Sequence, residues 1–218
     1  MNKLVFKLIN ITLMTSPLLS RYMFERWNKL KFKLCGVKSI DNFKSMSIYN
    51  GIYLRKIQSS FIQIGRNFVF TSGGGYNPIC RNIKGCIYIG KNGKLLIGDN
   101  VGISSSCIWA DKLIKIGNNV KIGGNCVILD NNCHSLDFLN RRNVLNDKSD
   151  IECKEVIIED DVLIGANCIL LKGVKIGARA VIGAGSVITR DIHHDTIACG
   201  NPCKVIKKIY EKNGTSED

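Results

Sequence analysis

Aromatic residues make up only 7% of this 218-residue chain, so its core must be filled by aliphatic side chains. Acidic residues are also short, 18 Asp and Glu against 31 Lys and Arg, and the resulting charge of +13 attracts anions without selecting one. No RNA-recognition, zinc-finger or helix-turn-helix pattern accompanies the charge, so no nucleic-acid partner is expected. Histidine is scarce, with three in all. His193 and His194 are adjacent and cannot easily converge on one ion, so no metal site is expected. No apolar run is long and clean enough to cross a bilayer. Gly73-Gly74-Gly75 lacks a following Lys-Ser/Thr pair, which excludes a phosphate loop and leaves a turn or bulge. The ten cysteines form no disulfide framework. Cys199 and Cys203 lack a second pair for zinc. Cys133 and Cys153 bracket a loop where a disulfide is conceivable, but the reduced reading is favoured. Cys107, Cys126 and Cys168 read as small core residues of a reduced, cytosolic protein.

What the chain does have is a short period. Ile158, Ile164, Leu170, Ile176, Ile182 and Ile188 stand six apart, and Val156, Val162, Cys168, Val174, Ala180, Ser186 and Ile192 keep the same step two places before. A fixed short repeat marks a solenoid. Each unit predicts a short strand and a turn, and three units close one triangular coil whose backbone groups pair with the coils above and below. The ladder starts earlier, with Ile89, Ile97, Ile103 and Trp109. A seven-residue step to Ile116 predicts a bulge near Asp111, and Ile122 and Ile128 follow.

Continuing the step from Ile128 lands on His134 and then on polar residues until Ile158 restores it. The polar positions cannot be core. Residues 135–155 therefore read as an excursion that leaves the prism and re-enters in phase, with His134 at its neck. Long loops in compact domains are usually functional. Its Arg141 and Arg142 suit an acidic acceptor or a solvated face equally well.

Residues 1–46 read as helix plus connector, residues 47–208 as the solenoid and residues 209–218 as a tail. Leu4, Val5, Leu8, Ile9 and Leu13 fall at helical spacing, followed by Arg21, Arg26, Lys29, Lys31 and Lys33 with Trp27 and Phe32 among them. No small-x-small cleavage site follows, so this is not read as a signal peptide. A basic amphipathic helix suits packing on the solenoid or on a neighbouring subunit, or peripheral attachment of residues 1–34 to the inner face of a membrane.

The stretches IKIGNNVKIGGNCVIL, VLIGANCILLKGVKIGARAVIGAGSVITRDI and GNPCKVIKKI resemble the hexapeptide-repeat acyltransferases, and most closely the sugar O-acetyltransferases of the galactoside, maltose, capsule and O-antigen type. The resemblance spans roughly residues 60–208. It implies an all-β solenoid, a left-handed parallel β-helix with an N-terminal helical segment, an extruded loop and a short C-terminal helix. It further implies a homotrimer with active sites between subunits, acetyl-CoA as co-substrate, a saccharide acceptor, and His134 as the catalytic base.

Transfer of acetyl from a thioester to a hydroxyl needs a group to take the hydroxyl proton, and neutral imidazole does so near pH 7. Asp137 and Asp130 are the candidates for orienting the ring; relatives often carry Asp-x-Asp-x-His, but Asn132 stands at the second Asp, and a backbone carbonyl is the alternative. Position by position, the resemblance assigns CoA contacts to Ala166, Ala184, Thr189, Arg190, Lys204 and Lys207. Leu163 stands where relatives place a Trp that walls the thioester. The expected activity is sugar O-acetylation in capsule or lipopolysaccharide assembly. A nucleotide-sugar N-acetyltransferase, a serine acetyltransferase and a non-catalytic assembly solenoid stay open as alternatives.

Overall fold

The computed structural model describes residues 17–73, 77–80 and 83–209. From Lys38–Ser39 to Val187–Ile188 the chain visits three sheets in strict rotation, and every pairing between consecutive coils is parallel. Three columns of inward side chains fill the space between the sheets. Ile64, Ile97, Ile116, Ile158 and Ile176 stack in the first sheet. Ile48, Phe70, Ile103, Ile122, Ile164 and Ile182 stack in the second. Leu54, Ile87, Ile108, Ile128, Leu170 and Ile188 stack in the third. All are buried. Branched side chains on these short strands leave little rotamer freedom to lose, and each fully buried one stabilises the fold by about 1.5–3 kcal/mol.

The second register is buried as well, from Val156 through Cys168 to Ile192. At the corners the chain turns through left-handed residues, mostly Asn and Asp, including Asn67, Asn100, Asn119, Asp161, Asn125 and Asn167. Their side chains bond from coil to coil: Asn67 Nδ2 to Asn100 Oδ1 at 2.8 Å, Asn100 Nδ2 to Asn119 Oδ1 at 2.9 Å, and Asn119 Nδ2 to Asp161 Oδ1 at 3.0 Å. A short polar side chain tolerates the left-handed region and satisfies its neighbour along the corner.

Helix α1 (Pro17–Leu34) covers the open edge of the second sheet at the strand Ser47–Tyr49. Asn28 Nδ2 donates to the carbonyls of Ile48 and Asn50, Lys31 Nζ donates to that of Ile52, and Phe32 is fully buried. The helix therefore packs on the solenoid. The periodic residues Leu4 to Leu13 lie outside the described residues. Gly73 has φ +77, the unusual backbone that the triple glycine predicts.

Four expectations are corrected. The first solenoid strand is Lys38–Ser39, which pairs with Phe61–Ile64 ahead of residue 47. The ladder steps from Ile103 to Ile108 rather than to Trp109, because strand alternation in Cys107–Ala110 buries Ile108 and Ala110. Trp109 faces outward against Tyr88, with ring centroids 4.9 Å apart. Cys107 is half-buried beside Cys86 on the same outer surface, not in the core, whereas Cys126 and Cys168 are buried. Finally, Lys204–Lys208 is not a helix but an exposed strand folded antiparallel onto Thr196–Cys199. Lysines along that last edge discourage further strand pairing.

Candidate active site

The strand Val127–Leu129 ends the third sheet's contribution to its coil, and the next strand, Val156–Ile158, opens the first sheet of the next coil. Ile116 and Ile158 are register partners across the gap, so the excursion does re-enter in phase. It is folded rather than extended. Helix α2 (Phe138–Arg141) is N-capped by Asp137, and helix α3 (Val144–Ser149) by Asn143. At the neck Cys133 is left-handed, with φ +63, and its N–H donates to Asn131 Oδ1 at 2.9 Å. That turn throws His134 clear of the prism, where its side chain is 69% exposed.

The first turn of α3 brings Asp147 to His134. Oδ2 lies 2.7 Å from the imidazole Nδ1, and Oδ1 accepts the Ser135 N–H at 2.8 Å. These two contacts, the imidazole first, hold the Asp147 carboxyl below the usual carboxylate range. An ionised carboxylate on Nδ1 selects the tautomer protonated there and leaves the Nε2 lone pair available. Asp150 accepts from the Ser135 hydroxyl and from Asn140 Nδ2, and is likewise held low. Arg141 Nη1 donates to the carbonyls of Ser135 and Leu136 at 2.7 and 2.8 Å. Two carboxylates and one guanidinium thus tie the neck to the two helices.

Neither expected orienting acid touches the ring. Asp137 is spent capping α2, accepting the Leu139 N–H at 2.8 Å. Asp130 is fully buried and accepts the N–H groups of Asp111 and Lys112 at 2.8 and 2.7 Å. It satisfies the wide corner left by the irregular ladder step. Asp147 stands thirteen residues from His134, too far for spacing to suggest it, and only the fold of the excursion unites them.

The other expected site residues divide between two corners and the last strand of the described residues. Ala166 and Ala184 precede the third-sheet strands Ile169–Leu170 and Val187–Ile188. They stand where the second sheet passes to the third. A Cβ on Gly123 would lie 2.5 Å from Ala166 N, and one on Gly165 2.5 Å from Ala184 N, so this corner is built on bare backbone. Beside it runs a groove of about 360 Å³ lined by Leu163, Lys121, Gly102, Gly165 and Ala166 and overhung by Ile79. His134 stands across the third sheet, at the corner with the first. Thr189 and Arg190 are exposed on that same side, two coils further on. Lys204 and Lys207 are exposed on the terminal strand. One chain does not bring the alanine corner to His134. His194 pairs with Asp195 at 2.7 Å, and among the described residues no three His, Cys, Asp or Glu converge as a metal site would require.

Residues 155–190 match the family model described as the hexapeptide repeat of succinyl-transferase. Over 63 residues, 29% of this chain, the sequence is 48% identical to a 2,3,4,5-tetrahydropyridine-2,6-dicarboxylate N-acetyltransferase of Staphylococcus aureus strain Newman, 26% of which is covered. Over 105 residues it is 44% identical to a Schizosaccharomyces pombe protein that carries an acetyltransferase name, covering 48% of each. The matches thus span about a quarter of the first relative and about half of the second. A solved structure of AntD, an N-acyltransferase from Bacillus cereus in complex with dTDP and 3-hydroxybutyryl-CoA, superposes with a TM-score of 0.59 at 18% identity, over 83% of this chain and 87% of that one. That likeness is one of fold.

Proposed function

We propose that this protein is a hexapeptide-repeat acyltransferase that moves acetyl from acetyl-CoA to a sugar hydroxyl, with His134 as general base and Asp147 as its positioning residue. The observation that carries this reading is the His134–Asp147 contact at the root of a folded excursion from the solenoid. The repeat over residues 155–190 and the acetyltransferase relatives support the reaction class. In the proposed step Nε2 takes the hydroxyl proton as the oxygen attacks the thioester carbonyl. A backbone N–H steadies the tetrahedral oxyanion. Collapse expels the CoA thiolate, which takes the proton back from the imidazolium.

The CoA pantetheine would run along the Ala166–Ala184 corner of one copy, where small side chains allow close approach, with Thr189 and Arg190 of the neighbouring copy facing it from the His134 side. Arg190, Lys204 and Lys207 would pair with its phosphates. Because that corner and His134 lie on opposite sides of the third sheet, a complete site requires a second copy. A left-handed homotrimer, as the resemblance implies, supplies one at each of three interfaces. Capsule or lipopolysaccharide assembly on the cytoplasmic side of the membrane is the proposed setting. The same base serves an amine, and the S. aureus relative's name makes N-acetylation the second reading.

The test is thiol release from acetyl-CoA against a panel of sugars and amino sugars. His134→Ala should lower kcat by about 10²- to 10⁴-fold with the assembly intact; near-normal turnover would refute the base assignment. Products cleaved by mild alkali are esters, whereas stable ones are amides.

A further inference from the structure

Helix α1 carries apolar side chains on two opposite faces. One is the face packed on the solenoid through Phe32 and Asn28. The other holds Met23, Trp27, Leu30 and Leu34, spaced one and two turns apart, with exposures of 46%, 62%, 47% and 77%. Tyr22 and Arg26 border this face, and together they line a shallow apolar depression with Met23, Trp27 and Leu30. None of the described solenoid residues covers it. A surface helix with a second apolar stripe is built for a second partner.

The charge around that stripe identifies the partner's chemistry. Residues 1–34 contain seven Lys and Arg against a single Glu, which is Glu25. Glu25 is paired with Lys29 at 3.0 Å. Arg26 and Lys33, both exposed, flank the apolar stripe on one side. Two copies meeting through this face would bring like charges together, whereas an anionic plane would neutralise them. Trp27 and Tyr22 have the amphipathic rings that settle at a lipid headgroup layer. No helix of the described residues is long and apolar enough to cross a membrane.

We propose that the outward face of α1 docks the enzyme on an anionic lipid bilayer, with Met23, Trp27, Leu30 and Leu34 entering the headgroup boundary and the flanking cations meeting lipid phosphates. This does not depend on the reaction assigned above. Salt weakens the association, because the cationic share is screened.

The experiment is co-sedimentation of the full chain with vesicles of phosphatidylglycerol and phosphatidylcholine, and with phosphatidylcholine alone. The chain holds two Trp, so Trp109→Phe makes Trp27 the sole reporter. We expect binding to the anionic vesicles, a blue-shifted Trp27 emission on binding, and about tenfold or greater weakening in Trp27→Glu/Leu30→Glu. Both positions are exposed, so that variant should keep the assembly's sedimentation coefficient. Absent or equal binding to both vesicle types would overturn the proposal. So would unchanged binding by the double variant, a smaller assembly in that variant, or a Trp27 shielded from acrylamide before lipid is added. The last two results would assign the face to a second copy or to residues 1–16.

Discussion

Asp147 acts on His134 through one oxygen and on the chain through the other, so its geometry is specific to a carboxylate. An amide at this position can present its oxygen to only one of the two donors. Asp147→Asn should therefore lower kcat by about 10²-fold, the low end of what a positioned base contributes, and leave KM for acetyl-CoA unchanged. A parallel rise in KM would mean that the residue shapes the binding surface instead, and an unchanged kcat would mean that the ring needs no partner. The place of His134 outside the prism is legible in the sequence, because it occupies a ladder position that no core could accept. The partner of His134 is not. Asp137 and Asp130 are near His134 in sequence, but a helix cap takes the first and two backbone N–H groups at a buried corner take the second. A buried carboxylate with two backbone donors belongs to the frame, and no spacing rule distinguishes it from an exposed one.

At the scale of elements, the ladder was readable where coils are uniform and misleading where they are not. From Val156 onward register partners such as Ile158 and Ile176 keep one repeat, so sequence phase equals spatial phase. Earlier coils differ in length, as Ile64 pairs with Ile97 while Ile87 pairs with Ile108. A uniform six-residue step therefore points to Trp109 as an interior residue, whereas Ile108 takes that place. The excursion was legible as an interruption, but its two short helices were not, since neither buries a residue that would give it a period. Capping and carboxylate contacts hold it instead. Asp147 and Asp150 are both held below their ordinary range, so the folded excursion binds fewer protons than the open one. Its stabilisation is full above the unfolded carboxylate value and is lost as pH falls through the depressed values. Hydrogen exchange at the Ser135 amide, corrected for intrinsic rate, should stay slow from neutral pH to about pH 4 and accelerate below it, while Ile128 and Ile158 remain protected. Loss of Ser135 protection already at neutral pH would show that these contacts do not hold the neck.

In the proposed reaction the base and the CoA corner belong to two different corners of the solenoid. The His134 corner and the Ala166–Ala184 corner are separated by the third sheet in every copy, while the excursion leaves Leu136, Phe138, Leu139, Val144 and Leu145 exposed. If a neighbouring copy supplies the alanine corner, two variants that are each inactive can complement. His134→Ala keeps an intact corner, and Ala184→Trp blocks the corner but keeps its base. In a closed ring each interface pairs the His edge of one copy with the corner of the next. After the two are unfolded together, refolded and mixed equally, the fraction of interfaces that join an intact base to an intact corner is about one quarter. Acetyl transfer should then recover to roughly a quarter of the wild-type level, a ceiling that no within-chain arrangement reaches, because every single chain in the mixture carries one lesion. Recovery that depends on refolding, and is absent when the preformed assemblies are merely combined, would place the reaction between copies; no recovery in either case would place base and corner in service of the same chain.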